Sequence, residues 1–331
     1  MESKLQSTGI TQAPYVPGYS VVSSSLIKAM GETHCDLYKT VAWSSEPALY
    51  CAGDVPLSDS QRNELSQDEV AFLYVRQGDS NRLQAIFREN LDSIAEREDV
   101  PLADRYNLVQ SIVTSEMKRL FQLIRLDETM GEFDKLGSNI SHLVSSGSTV
   151  PAELLAIARH STDTFTHMIN VSAYCVLTAE AVGISDKDEL RAIAKGGLLH
   201  DIGKRFMPRR LLNKVTSFDE EDRRLIQTHP QRGYEELCRF ESISFGQLMM
   251  AYQHHERIDG NGYPVRITGD EMHLWAKICA VADVFEALTG KRPYRKPEPI
   301  SKVVGYLLEA AGTHFDKEIV QCWSTIILKK S

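Results

Sequence analysis

Five of the ten histidines fall between positions 167 and 255: His167, His200, His229, His254 and His255. The pair His200-Asp201 directly follows Gly197-Leu198-Leu199, so two ionisable groups sit against an apolar helical segment, which is costly unless something compensates them. Asp283 has the same problem inside Ile278-Cys279-Ala280-Val281-Ala282-Asp283-Val284-Phe285. A divalent metal is the simplest compensation. Imidazole and carboxylate together suit iron, manganese or zinc, whereas calcium and magnesium prefer all-oxygen shells. One ion with a position open to water takes roughly three to five protein ligands, so this inventory points to two or three ions, with Asp201 as the natural bridge. Lys204 follows His200 by one helical turn and shares its face if the helix continues, although a lysine there is ordinarily a solvated one. A lone histidine before proline, such as His229, is more often a cap; it is the set that changes the reading. His34, His142, His160, His273 and His314 have ordinary structural readings.

The elements that must position these residues are helices. After Pro151 the pattern predicts a helix from Ala152 to Gly183 and another from Ser185. A third is predicted from Ser217, with Glu220 completing a capping box, and a strongly apolar one over about Glu271 to Leu288, stopped by Gly290 with Pro293 beyond. Upstream, Tyr19–Val22, Tyr38–Trp43, Leu49–Cys51 and Val70–Val75 read as strands bounded by turn residues. Leu83, Ile86, Phe87, Leu91 and Ile94, then Leu108, Ile112, Val113, Met117, Leu120 and Phe121, return to helical spacing, and Ser145-Ser146-Gly147-Ser148 marks a linker or sharp turn. The expected fold class is α+β. A flexible tail (1–12) precedes a small mixed α/β domain (13–90), a helical linker (91–147) and an all-α helical bundle (148–331).

A chain of 331 residues, 42% hydrophobic and 25% charged, can bury a large core. Its net charge of −8 disfavours duplex nucleic acid as a partner, because such binding needs many lysine and arginine contacts to phosphate. A small phosphate ligand needs only a local positive site. There is no long apolar run and no signal-like start over Met1 to Pro17, so neither a membrane span nor secretion is expected, and the cytoplasm is the default location. The six cysteines form no C-x-x-C pair and are expected to be reduced and mostly buried.

The run His200-Asp201-Ile202-Gly203-Lys204, then Pro208, Asn213-Lys214, Thr228-His229-Pro230 and His254-His255-Glu256-Arg257-Ile258-Asp259-Gly260-Asn261-Gly262-Tyr263-Pro264, resembles the HD-GYP family of bacterial cyclic di-GMP phosphodiesterases. So do Val281-Ala282-Asp283-Val284-Phe285-Glu286-Ala287-Leu288-Thr289, Arg292-Pro293-Tyr294-Arg295 and Gly312-Thr313-His314-Phe315-Asp316; the match covers about residues 150 to 325. The resemblance implies an HD-type helical bundle whose metal ligands are His167, His200, Asp201, His229, His254, His255 and Asp283. The family's further carboxylate, usually glutamate, is Asp163 here, one methylene shorter, and it would bring in a third ion. Two or three divalent ions, iron or manganese, would then drive hydrolysis of cyclic di-GMP to pGpG and GMP. Asp201 would bridge the ions, and Lys204 would stabilise a phosphate oxygen. Arg292 and Arg295 would hold phosphate, and Tyr263 would line the ligand channel. Other readings keep the metals but change the substrate to cyclic GMP-AMP or another nucleotide, or make the chain a silent cyclic di-GMP receptor. The amino-terminal part is similar, more weakly, to a small α/β domain found ahead of such domains, acting as a sensor or dimerisation module. A homodimer and contacts with signalling proteins through the GYP loop are further implications.

Overall fold

The computed structural model describes residues 16–30, 33–40, 46–66, 70, 72–97, 100–122, 130–145, 164–212, 214, 216–291 and 295–328. The chain divides into two compact units, Met1–Asp104 and Arg105–Ser331.

The first unit carries a four-stranded antiparallel sheet, β1 (Tyr19–Ser23), β2 (Leu37–Lys39), β3 (Ala48–Cys51) and β4 (Phe72–Arg76), in the order β1-β4-β2-β3. Strands β1 and β4 pair from Tyr19 opposite Arg76 to Ser23 opposite Phe72. Successive side chains of a strand point to opposite faces, so the burial of Leu73, Tyr74 and Val75 in succession means that β4 is covered on both sides. Helices Ser24–Met30, Asp59–Ser66, Ser80–Glu89 and Leu91–Ala95 accompany the sheet. The helical spacing expected at Leu83, Phe87, Leu91 and Ile94 is realised in the last two.

The second unit is helical. Its centre is the helix Thr164–Ala181, which is apolar nearly all round, as a helix buried on every side must be. Helices Met130–Ser145, Lys187–Leu199, Leu274–Thr289 and Lys317–Leu328 pack against it. Tyr174, Phe285 and Trp323 lock three of these together, with ring centroids 4.9 to 5.6 Å apart. The helices Leu102–Gln122, Arg209–Leu212, Glu220–Ile226, His229–Leu237, Phe245–Gln253 and Ile300–Glu309 complete the described α-helices of this unit. None of the described helices is long and apolar enough to cross a membrane. All six cysteines are free, and Cys35, Cys51, Cys175 and Cys279 are buried.

Three sequence expectations change. The stretch expected as a linker over 91–147 is split: Met130–Ser145 buries Phe133, Leu136, Ile140, Leu143 and Val144 against the helices of the second unit, because its apolar face finds a full partner there. The capping box expected at Ser217 and Glu220 is made two residues later by Asp219 and Asp222, an aspartate serving as well as serine at an N-cap. The helix expected from Glu271 starts at Leu274. The Glu271 carboxylate is held in the preceding turn by the Thr268 N–H and hydroxyl, and His273 Nδ1 caps the helix by accepting from the Trp275 N–H at 3.1 Å. The predicted residues 152–163 lie outside the described part.

Gly203 and Gly305 are opposite cases. A Cβ at Gly203 would collide with the His229 carbonyl and the Gly233 N–H, whereas one at Gly305, inside the helix Ile300–Glu309, would meet nothing within 4 Å. Gly203→Ala is therefore expected to cost about 1–3 kcal/mol and Gly305→Ala to stabilise by about 0.5–1 kcal/mol, read from urea unfolding midpoints.

Candidate metal centre

The histidines and aspartates are delivered by the ends and faces of five helices. Helix Lys187–Leu199 stops at His200, its C-cap, and Asp201 leads into a short 3-10 turn, Ile202–Phe206. The tight contact of Gly203 with the His229 backbone brings that turn against the start of helix His229–Leu237, so His229 meets Asp201. His254 caps helix Phe245–Gln253 and His255 follows it. His167 lies in the first turn of Thr164–Ala181, and Asp283 lies midway along Leu274–Thr289. The ligand atoms form three sets, His229/His254/His255, His167/His200/Asp283 and His200/Asp201/His254, each within 4.8 Å. All seven metal ligands expected from the sequence therefore come together. Asp163, expected for a third ion, and Arg292, expected on phosphate, lie outside the described residues.

The backbone decides which ring nitrogens face inward. The Nδ1 atoms of His200, His229 and His254 lie 2.7, 2.6 and 2.9 Å from the carbonyls of Gly197, Ile226 and Met250. A carbonyl can only accept, so each Nδ1 carries a proton and each ring turns its Nε2 to the centre, where a neutral imidazole offers a lone pair. The Nε2 atoms of His229 and His254 then face each other at 3.2 Å, an arrangement that repels unless a cation lies between them. His200 Nε2 and Asp201 Oδ1 are buried without a hydrogen-bond partner; His229 Nε2 comes within 3.1 Å of that oxygen but not in hydrogen-bond geometry. Buried orphans of this kind each cost about 1–3 kcal/mol. Inward-facing imidazole lone pairs around an unsatisfied carboxylate oxygen fit divalent cations in chemistry and in placement.

The charges divide the cluster into two sides. Burial, reinforced by His229, pushes His255 down to about 3, and burial with His255 holds His254 well below the ordinary histidine range, so both rings are neutral donors. On the other side, burial works against the charged form of His167, but Glu286, followed by Asp201 and Asp283, holds it well above its usual value. Asp283 lies 3.1 Å from His167 Nε2. Burial would raise Asp201, yet Lys204 and then His200 keep it well below the usual carboxylate range.

Lys204 reaches the Asp201 carboxylate through the 3-10 turn, not along a continued α-helix, because the helix ends at His200. Tyr263 stacks on His255, ring centroids 4.7 Å apart. Its loop is held from beneath by Glu256, fully buried, which accepts from the Val265 N–H at 2.6 Å and the Arg266 N–H at 3.0 Å. A Cβ at Gly262 would run into the backbone of Glu256 and Arg257, so only glycine allows this approach. Arg295, expected on phosphate, is engaged elsewhere. Its Nη2 donates to the Ala287 carbonyl at 2.6 Å and the Leu288 carbonyl at 3.2 Å, closing the last turn of Leu274–Thr289, as cations at helix C-termini do.

Glu286, Glu256 and Asn170 were not singled out from the sequence. Glu286 contacts His167 Nδ1, Asn170 Nδ2 donates to Glu286 at 3.3 Å, and both are buried. The available signal was spacing: Glu286 follows Asp283, and Asn170 follows His167, by three residues on one helical face.

An HD domain family model matches residues 139–319. Over 175 residues the chain is 34% identical to a cyclic di-GMP phosphodiesterase of Pseudomonas aeruginosa, covering 52% of this chain and 42% of that one. It is 38% identical over 153 residues to a 3'3'-cGAMP-specific phosphodiesterase of Vibrio cholerae, covering 46% and 33%. It is 39% identical over 146 residues to a cyclic di-GMP phosphodiesterase response regulator of Xanthomonas campestris pv. campestris, covering 44% and 38%. The chain thus spans less than half the length of each of these relatives. An HDG"Y"P protein of Bdellovibrio bacteriovorus superposes with a TM-score of 0.65 at 18% identity, over 94% of this chain and 99% of that one, a likeness of fold. With its histidine and aspartate motifs gathered at one buried point, the chain belongs to the HD domain family.

Proposed function

We propose that this protein is a metal-dependent phosphodiesterase that hydrolyses cyclic di-GMP to pGpG and GMP. The observation that carries the reading is the opposition of imidazole Nε2 atoms around Asp201, an array with no evident structural purpose beyond holding cations. His229, His254 and His255 would hold one ion, His167, His200 and Asp283 a second, with Asp201 between them. Iron or manganese suits this donor set, and Asp163 would add a third ion. When bound, the ions supply positive charge opposite the phosphate oxygens and make water acidic enough to act as a nucleophile at neutral pH.

The chain's own residues do the rest. Lys204, partly exposed beside Asp201, offers its ammonium to a non-bridging phosphate oxygen as charge develops there. Tyr263, flat against His255, walls the cluster on the side of the GYP loop and presents a ring to a base or ribose. Arg292 remains the candidate for gripping phosphate. Arg295 serves the helix end instead. A second reading has specific support: several relatives are named as 3'3'-cGAMP-specific phosphodiesterases, so cyclic GMP-AMP is the competing substrate.

Four measurements test this. Anaerobically purified protein, loaded with iron or manganese and given each cyclic dinucleotide, is expected to linearise cyclic di-GMP fastest. Asp201→Ala should lose both metal and turnover, and retention of both would remove the bridge assignment. Lys204→Met should lower kcat by roughly 10²–10³-fold with metal content unchanged; an unaltered kcat returns Lys204 to an ordinary ion pair. Arg295→Ala is expected to leave KM in place and to lower stability by about 1 kcal/mol through the lost helix cap, whereas a raised KM would restore it to the phosphate.

A further inference from the structure

One buried line of hydrogen bonds leaves the cluster on the His167 side and ends on another helix. His167 Nδ1 meets a Glu286 carboxylate oxygen, and the second Glu286 oxygen accepts from Asn170 Nδ2 at 3.3 Å. Asn170 Oδ1 in turn accepts from the Tyr106 hydroxyl at 3.3 Å and from Gln110 Nε2 at 3.0 Å. Tyr106 and Gln110 stand one turn apart on Leu102–Gln122, the helix on which the chain passes from the first unit to the second. The direction of the line is chemically fixed. A carboxylate only accepts, so the Asn170 amide must turn its NH2 to Glu286 and its oxygen to Tyr106 and Gln110, and His167 must carry its proton on Nδ1. Asn170 is fully enclosed, at 0% exposure, in a helix buried on nearly every side, where a polar side chain is costly unless satisfied at both ends.

Three other histidines of the cluster are held differently. His229 and His254 are oriented by backbone carbonyls of their own neighbourhoods, Ile226 and Met250, and His200 by Gly197. His167, by contrast, takes its orientation from a side-chain line that reaches the helix Leu102–Gln122.

We propose that Glu286, Asn170, Tyr106 and Gln110 are positioning residues for His167, and that through them the seating of the helix Leu102–Gln122 sets the metal affinity of the His167/His200/Asp283 side without altering that of the His229/His254/His255 side. The proposal rests on the cluster being a metal centre. Outer partners of this kind orient the ring and raise its basicity, and their loss typically costs roughly 10–100-fold in metal affinity.

The test uses the full chain, stripped with a chelator and titrated with manganese(II) chloride, free ion being followed by electron paramagnetic resonance. Thermal unfolding of the metal-free protein is recorded in parallel. The unmodified chain is expected to show at least two binding steps. In Tyr106→Phe combined with Gln110→Leu, and in Asn170→Asp, which sets a second carboxylate against Glu286, one step should weaken by roughly 10–100-fold. The other should stay within about twofold in both. Tyr106→Phe alone removes a single hydroxyl and keeps the question open to measurement if a harsher variant fails to fold; it should weaken the same step in the same direction. Unchanged steps in the folded variants overturn the positioning role and leave the metal centre standing. Equal weakening of both steps, tracking a fall in the metal-free melting temperature, overturns it in favour of general destabilisation. No manganese binding by the unmodified chain would overturn the metal centre and this proposal together.

Discussion

A carboxylate buried in a helical core must be balanced by positive charge, and the architecture around Asp201 follows from that requirement. Asp201 sits where helix Lys187–Leu199 breaks, with one oxygen on Lys204 and the other without a hydrogen-bond partner, ringed by imidazoles. Lys204 is a single charge at the rim and cannot satisfy the inner oxygen as well. The break in the helix, the glycine contact at Gly203 and the convergence of five helices all serve to bring imidazole nitrogens around that oxygen. In a core of low polarity such an array is stable as a cation site and costly as anything else.

Rigidity of this site comes from shared helices. Thr164–Ala181 carries His167 near its start and Tyr174 farther along, and Leu274–Thr289 carries Asp283 with Phe285 two residues on. The aromatic contacts of Tyr174 and Phe285 with Trp323 therefore fix the same two helices that present ligands. A shift large enough to misplace His167 or Asp283 would open that packing, and close-packed interiors resist such shifts. The histidines at helix ends are held more locally, each by a carbonyl three or four residues before it.

The loop from Gly260 to Pro264 is tied down from two directions, which suits a wall beside a ligand site. Glu256 takes the N–H groups of Val265 and Arg266 from below. The N–H groups of Ile258 and Asp259 donate to the carbonyls of His314 and Thr313, so the Gly312–Asp316 motif, far along the chain, acts as a second support. Arg257 clamps Asp259 through two hydrogen bonds, at 3.0 and 2.7 Å. Tyr263 is thereby held flat on His255 and not left to sample solvent.

Residue type and spacing alone determined the chemistry. His200-Asp201 after an apolar run, His254-His255 as a pair and Asp283 inside an apolar helix are costly placements that are visible without coordinates, and the strands Tyr19–Ser23 and Phe72–Arg76 follow from their own composition. Tertiary structure decided what each long side chain touches. Glu286 and His167 are 119 positions apart, Asn170 and Tyr106 are 64 apart, and no local pattern encodes such meetings. Arg295 could have reached phosphate by its sequence context, yet the helix end it neighbours in space offers the Ala287 and Leu288 carbonyls, and its Nη2 donates to both. The helix Met130–Ser145 had an apolar face legible in sequence but no stated partner; only packing against Lys187–Leu199 made it part of the bundle and not a connector. Local backbone preference and the cost of burying charge are properties of short stretches, which a sequence carries openly. The partner of a side chain is a property of distance, which exists only once the chain has folded.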